Sequence, residues 1–126
     1  MAQTQTPRRR LLVVDDETEV ADVLKEHFEA TYDVDTAPDG KKALKLIRAR
    51  RPDVILLDLQ MPGLNGLEVM KRIQTVDPKP VVIVVTADAD TDVAAQAMTQ
   101  GAFSYVPKPF DLQYLDHLVA VALDGH

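Results

Sequence analysis

Three short runs of consecutive apolar residues recur along this chain, and they restrict its fold more than any other feature. The runs cover residues 11–14, 54–57 and 81–85 and consist of Val, Leu and Ile. Each has the length of a strand and shows no alternation with polar residues, which predicts a strand that is covered on both faces. Strands of that kind occur in parallel sheets with helices on both sides.

Two weaker strand patterns and a series of helix patterns complete the chain. The weaker strands are expected near Val34 and over residues 103–106, and amphipathic helix patterns follow each of the five strands. Asp16 or Thr18 is placed to cap the first helix, and Gly101 is placed to end the fourth in a left-handed conformation. Alternating strands and helices require crossover connections, so the sequence predicts a doubly wound α/β sandwich around a five-stranded parallel sheet.

The composition is that of one ordinary domain. The chain has 126 residues, of which 46% are hydrophobic, and it has no Cys, which excludes disulfides and thiolate metal sites. No apolar run approaches the roughly 18 residues of a membrane helix, so we expect a soluble, cytoplasmic protein without membrane contact. The formal net charge of −6 argues against a nucleic-acid surface across the domain. We expect residues 1–9 to form a flexible N-terminal tail and residues 10–124 to form the domain.

Polar side chains stand where the predicted strands end. They are Asp15, Asp16, Asp58, Thr86 and Lys108. Sites in doubly wound sheets form beyond the carboxyl ends of the strands, so we expect these side chains to share one rim. Crowded carboxylates repel each other unless a cation lies among them, which predicts a metal site. The three histidines show no metal-ligand spacing, so an all-oxygen site for Mg²⁺ is favoured, with Mn²⁺ as a substitute.

The combination of residues at this rim indicates phosphoryl chemistry. A carboxylate beside Mg²⁺, with a hydroxyl and an ammonium group nearby, can accept a phosphoryl group as an acyl phosphate. Taken singly, Asp15 and Asp16 would be interpreted as helix caps, Thr86 as a strand former and Lys108 as a solvated side chain. Their convergence beside Asp58 favours a site.

Taken together, these residues resemble the receiver domain of two-component response regulators over about residues 10–123. The resemblance is carried by Asp15-Asp16, by Asp58 followed by Met61-Pro62-Gly63 and Gly66, by Thr86-Ala87 and by Lys108-Pro109-Phe110. It implies a flavodoxin-like (βα)5 fold of the CheY type, a three-layer sandwich with strand order 2-1-3-4-5. Residues 101–111 also resemble receivers that precede activators of the nitrogen-regulation type.

The resemblance implies a role for each acidic position. Asp58 would accept a phosphoryl group from a sensor histidine kinase or a phosphotransfer protein. Asp16 would bind Mg²⁺ directly, Asp15 would help through water, and the backbone carbonyl of Gln60 would complete the protein ligands. Gln60 and Asp88 also stand where residue identity tunes dephosphorylation in the family.

A second group of positions would respond to the phosphoryl group. Thr86, followed by Ala87, would donate a hydrogen bond to it, and Lys108 would pair with it. Tyr105 would turn inward as Thr86 moves and change the face made by the fourth helix, fifth strand and fifth helix. In the family the peptide bond before Pro109 is usually cis.

Two other functions fit these residues less well. A phosphorylation-independent pseudo-receiver would be expected to have lost an acidic ligand, the acceptor or the Lys, and none is lost here. An aspartate-nucleophile phosphatase of the haloacid dehalogenase type would need Asp-x-Asp after the first strand, where this chain has Glu17 two residues after Asp15. The expected partners are the kinase, a downstream protein or fused output domain, and a second copy after phosphorylation, with no direct binding of nucleic acid. A full-length single-domain regulator and a receiver cut from a longer protein are both compatible with the sequence.

Overall fold

The computed structural model describes residues 8–61, 63, 65–87 and 91–124, in which strands and helices alternate as predicted. The strands are β1 (Arg10–Val14), β2 (Asp33–Ala37), β3 (Val54–Leu57), β4 (Val81–Thr86) and β5 (Ser104–Pro107). The helices are α1 (Thr18–Phe28), α2 (Gly40–Arg50), α3 (Gly66–Ile73), α4 (Thr91–Thr99) and α5 (Leu112–Asp124).

All strand pairs of the single sheet are parallel, and the strand order is β2-β1-β3-β4-β5. The predicted order is therefore confirmed. The last residue of β1, Val14, pairs with Leu57 of β3, and Leu57 pairs with Val84 of β4. Because the central strands are in register, their carboxyl ends form one rim, and the residues that follow them are brought together.

The central strands are buried on both faces, as their continuous apolar sequences predict. Leu12, Val14, Ile55, Leu57, Val82 and Val84 belong to a core with α2, α3 and α4, whereas Leu11, Val13, Val54, Leu56, Ile83 and Val85 belong to a core with α1 and α5. This division follows the alternation of side chains along a strand. It makes the three-layer sandwich and holds the sheet rigidly beneath the rim.

The ends of two helices test the predicted caps. The prediction that Asp16 or Thr18 caps α1 was wrong: Glu17 is the N-cap residue and makes no side-chain cap hydrogen bond. After α4, Gly101 has a φ of 104°, its N–H donates to Met98 O, and the N–H of Ala102 donates to Ala97 O. This pair of bonds is a Schellman motif, which satisfies carbonyls at the helix end and requires a positive φ at Gly101.

The first described residue is in contact with the domain. Arg8, which the sequence placed in a tail, donates from Nη2 to Glu29 O at 2.6 Å and from Nε to Thr31 O at 3.1 Å. Residues 1–7 of the predicted tail, together with Pro62 and Asp88, lie outside the described residues. Among the helices of the described ranges, none combines the length and apolar character needed to cross a membrane.

Candidate functional site

The loop after β1 brings two carboxylates to the rim. Asp15 is buried, with 4% of its surface exposed, and its backbone N–H donates to Ala37 O of the neighbouring strand. Its Oδ1 accepts a hydrogen bond from the N–H of Glu17 at 2.9 Å. Asp16 is exposed. The rim therefore presents one fixed carboxylate and one that reaches solvent.

Asp58 lies at the end of β3, and both of its carboxylate oxygens are engaged. It is also 4% exposed, and its N–H continues the sheet pattern by donating to Val14 O at 2.9 Å. Oδ1 accepts from the Gln60 N–H at 2.9 Å and from the Thr86 hydroxyl at 2.8 Å. Oδ2 lies 3.1 Å from Lys108 Nζ. The charge is compensated by donors from three different segments, which is how a buried carboxylate is tolerated.

Lys108 stands between three carboxylates. Its Nζ lies 2.8 Å from Asp15 Oδ2, 2.8 Å from Glu17 Oε1 and 3.1 Å from Asp58 Oδ2. Burial of the ammonium by itself would lower the pKa of Lys108, but the hydrogen bonds to these carboxylates outweigh it and raise the pKa above the ordinary value. Lys108 is positioned by its own N–H, which donates to Thr86 O, and the peptide bond to Pro109 is cis. The side chain is a fixed cation at this rim.

Three carboxylates lie close enough to share a metal ion. Asp15, Asp16 and Asp58 each offer one oxygen within 4.8 Å of the others. Burial raises the pKa of the Asp15 carboxyl, with the Lys108 ammonium and the Glu17 N–H partly offsetting it. A carboxylate that is costly to ionise in the free protein would be relieved by a cation, and the all-oxygen donor set fits Mg²⁺ or Mn²⁺. The Gln60 carbonyl as a further ligand stays a prediction.

The turn after Asp58 is built around glycine. The N–H of Gly66 donates to Leu59 O at 3.2 Å, and a Cβ on Gly66 would lie 2.5 Å from Leu59 Cα and 2.8 Å from Asp58 O. Only a residue without a side chain allows so close an approach of α3 to the backbone beside the acceptor. Asn65 caps α3 by accepting the Glu68 N–H at 3.0 Å. The start of α3 is thereby fixed against the rim.

The predicted switch residues lie on the two strands at one side of the sheet. Thr86 is fully buried, and Ala87, which follows it, is exposed. Tyr105 is half-buried, packs against the core shared with α2, α3 and α4, and pairs with Val84 in the register of β4 and β5. Since side chains alternate along a strand, Tyr105 and Thr86 face the same side of the sheet. The structure thus brings the hydroxyl, the aromatic ring and the α4 layer to one side.

One residue of this site was missed by the sequence reasoning. Glu17 was noted only as a departure from a phosphatase motif, yet its carboxylate contacts Lys108. A third acidic residue directly after Asp15-Asp16 was the available signal.

Among the described residues, no histidine belongs to the acidic cluster. His27 on α1 contacts Asp116 on α5 at 2.7 Å, whereas His126 lies outside the described residues.

The sequence is similar to one family of known proteins. Residues 11–120 match the family described as response regulator receiver domain. The chain is 39% identical over 115 residues to the DNA-binding transcriptional regulator NtrC of Escherichia coli (strain K12), covering 90% of this chain and 24% of that protein. It is 35% identical to sporulation initiation phosphotransferase F of Bacillus subtilis (strain 168), covering 82% of this chain and 84% of that one. The chain spans about a quarter of the length of the longer curated relatives that it matches.

Solved structures show the same likeness. The crystal structure of a CheY-like response regulator receiver domain protein from Methanospirillum hungatei superposes with a TM-score of 0.90 at 27% identity. That match covers 94% of this chain and 95% of the other. The similarity therefore extends over nearly the whole fold, including the sheet and the helices on both faces.

Proposed function

The chain belongs to the response regulator receiver domain family, and from this membership and the geometry of the rim we propose that Asp58 accepts a phosphoryl group in a Mg²⁺-dependent reaction. The donor would be a sensor histidine kinase or a phosphotransfer protein of the cytoplasm. The observation that carries the proposal is the double engagement of Asp58. A hydroxyl on one oxygen and an ammonium on the other are the groups that a transferred phosphoryl group needs.

The proposed reaction is an in-line displacement at phosphorus. An oxygen of Asp58 forms the new P–O bond while the bond from phosphorus to the donor breaks, and the product is an acyl phosphate. A bound Mg²⁺, held by Asp15, Asp16, Asp58 and the Gln60 carbonyl, would supply charge compensation for the phosphoryl oxygens. The attacking carboxylate is held beside the Lys108 ammonium, 3.1 Å from Oδ2.

The donors around Asp58 would then change partners. Before the reaction Thr86 and Lys108 donate to the two oxygens of the carboxylate. Once one oxygen is esterified to phosphorus, the negative charge lies on the phosphoryl group, and the same hydroxyl and ammonium groups would donate to it instead. The backbone N–H of Ala87, next to Thr86, is a further candidate donor.

Movement of Thr86 would be the first step of signalling. Tyr105 shares its side of the sheet, so a shift of Thr86 toward the phosphoryl group would let the ring turn inward and change the face made by α4, β5 and α5. That face would bind a downstream protein, a fused output domain or a second phosphorylated copy. The family consists of signalling domains, and the catalysis we propose is limited to the domain's own phosphorylation and dephosphorylation.

Intact-mass measurement tests the proposal. The protein is incubated with Mg²⁺ and acetyl phosphate, and a mass gain of one phosphoryl group is expected, removable by hydroxylamine and prevented by EDTA. Asp58→Asn should abolish the adduct, whereas Asp22→Asn, on the exposed face of α1, should keep it. A folded wild-type protein that gains no phosphoryl group from acetyl phosphate would contradict the proposal and favour a pseudo-receiver. Sustained hydrolysis of unrelated phosphoesters would favour a phosphatase.

A further inference from the structure

The lysines and arginines of this chain fall into two groups. Of the 14 in the sequence, eight form an ion pair or donate a hydrogen bond to a carboxylate, a side-chain amide or a backbone carbonyl: Arg8, Arg9, Arg10, Lys25, Arg50, Arg51, Lys79 and Lys108. Within the described ranges the other six have no such partner for their charged groups, and they are Lys41, Lys42, Lys45, Arg48, Lys71 and Arg72. All six lie on two neighbouring helices, α2 and α3. In the part of the chain that the structure describes, the unpaired Lys and Arg charges are therefore concentrated on these two helices.

Four of the six cations line a groove that also has an apolar component. The groove encloses about 740 Å³ between α2 and α3 and is lined by Lys41, Lys45, Arg48, Arg72 and the edge of Leu44. A smaller depression beside it adds Lys42 and Leu46. The long stems of Lys and Arg also contribute apolar surface beneath their charged ends. We call this surface the α2–α3 groove.

This arrangement is unfavourable for the free domain. Lys41 and Lys45 are four residues apart on α2, and Lys45 and Arg48 are three apart, so like charges are neighbours on one face of the helix. The acidic residue at the groove, Asp39, has its Oδ1 engaged by the Lys42 N–H at 2.8 Å as the helix cap. The chain as a whole carries a net charge of −6, yet these cations are not paired with its carboxylates. A ligand that brings negative charge would relieve the repulsion.

We propose that the α2–α3 groove binds an acidic amphipathic helix of a partner protein. The apolar side of such a helix would cover Leu44 and Leu46, and its carboxylates would pair with the flanking Lys and Arg side chains. The 11 residues of α2 correspond to about 16 Å, which is roughly three turns of a helix lying along it. Nucleic acid fits less well because the described lining offers no aromatic side chain for stacking. The negative net charge of the chain would also repel a longer polyanion.

The groove is separate from the proposed phosphoacceptor chemistry. None of the residues that contact the Asp58 carboxylate lines it, and α2 contributes no side chain to the acidic cluster. Binding at the groove is therefore expected both before and after phosphorylation of Asp58, and it can be measured without a phosphodonor.

A fluorescein-labelled synthetic peptide tests the proposal by fluorescence anisotropy. The probe is a peptide of about 18 residues, long enough to form helix, with Leu at every third or fourth position and Glu flanking them. We expect saturable binding that weakens as salt rises. A control peptide with Gln in place of each Glu should bind about tenfold more weakly, since the ion pairs are lost.

Matched charge reversals distinguish the groove from the overall charge. Lys45→Glu with Arg48→Glu should weaken peptide binding by about tenfold. Lys25→Glu with Lys79→Glu changes the net charge equally but lies outside the groove, so it should leave the affinity within about twofold. Circular dichroism of both variants establishes that they are folded.

Four results would overturn the proposal. They are no saturable binding of the acidic peptide, equal loss in both double variants, tighter binding of a 20-base-pair DNA duplex than of the peptide, and self-association in sedimentation velocity that Lys45→Glu with Arg48→Glu abolishes. The third result would assign the groove to nucleic acid. The last would place a second copy of the chain there.

Discussion

Replacing Gly66 with Ala would add one methyl group where the backbone leaves no space for it. The new Cβ would lie 2.5 Å from Leu59 Cα and 2.8 Å from Asp58 O, both of them backbone atoms that cannot rotate away. Overpacking of this kind costs typically 1–3 kcal/mol, and a clash with backbone belongs at the upper end, about 3 kcal/mol. Ala gains up to about 1 kcal/mol over Gly within a helix, which leaves a net loss of roughly 2–3 kcal/mol.

Thermal unfolding followed by circular dichroism measures this loss. For a domain of this size 1 kcal/mol corresponds to about 3–5 °C, so the Tm of Gly66→Ala should fall by roughly 10 °C. Gly63→Ala is the matched control, because Gly63 has a φ of 75° and open space around its Cβ position. Its cost is backbone strain alone, about 1 kcal/mol, and its Tm should fall by only about 4 °C.

The same substitution should also affect the rim. One of the two obstructing backbone atoms is the carbonyl oxygen of Asp58, so a shift that accommodates Cβ should displace the proposed acceptor. At a temperature where both variants are folded, Gly66→Ala should therefore react more slowly with acetyl phosphate than Gly63→Ala. A Tm within about 2 °C of the wild type would refute the reasoning. A decrease so much smaller than the expected ~10 °C would mean that α3 does not pack closely on the Asp58–Leu59 backbone.

Two further predictions concern charges at the rim. Burial raises the pKa of the Asp15 carboxyl in the folded chain above its value in the unfolded chain. The contribution of Asp15 to folding stability is therefore fully present below the unfolded pKa and is lost as pH rises through the folded pKa. In EDTA at neutral pH, Asp15→Asn should therefore melt above the wild type, with the difference disappearing near pH 4, and equal melting at neutral pH would contradict this. Glu17 is 59% exposed on its side chain and is one of three carboxylates that contact Lys108, so removing its charge weakens the hold on this ammonium at a cost of at most about 1 kcal/mol. Glu17→Gln should react with acetyl phosphate up to about fivefold faster, whereas Glu19→Gln should match the wild type; a slower Glu17→Gln would show that Glu17 assists the reaction.

Most of the fold could be predicted from the sequence because strands that are buried on both faces consist of consecutive apolar residues. The strands β1, β3 and β4 contain the continuous apolar runs, and the structure buries all of β3 and all but the first residue of β1 and β4. The strand β2 gave a weaker signal, since it lies at the edge of the sheet and reads Asp-Val-Asp-Thr-Ala, with only Ala37 buried. Edge strands pack on fewer neighbours, so their composition specifies them less.

The site was predictable where it depends on strand ends and unpredictable where it depends on side-chain direction. The carboxyl ends of parallel strands meet at one rim, which was enough to place Asp15, Asp58 and Lys108 together. The contact between Glu17 and Lys108 joins residues 91 apart in sequence and depends on the rotamers of two long side chains. No local pattern encodes such a contact. The same contact accounts for the absence of a side-chain cap hydrogen bond from Glu17, because this side chain is directed to Lys108.

The two outer strands decide how this domain can associate with other proteins. On β2, Asp33 and Asp35 place charge along the open edge, and β5 ends in Pro107, which has no N–H to offer an incoming strand. Both devices oppose the addition of a strand from another chain, a route that leads toward aggregation in the crowded cell. We therefore expect partners to bind helices and loops and to leave the sheet undisturbed. A domain protected in this way can bind and release partners repeatedly while its core remains unchanged.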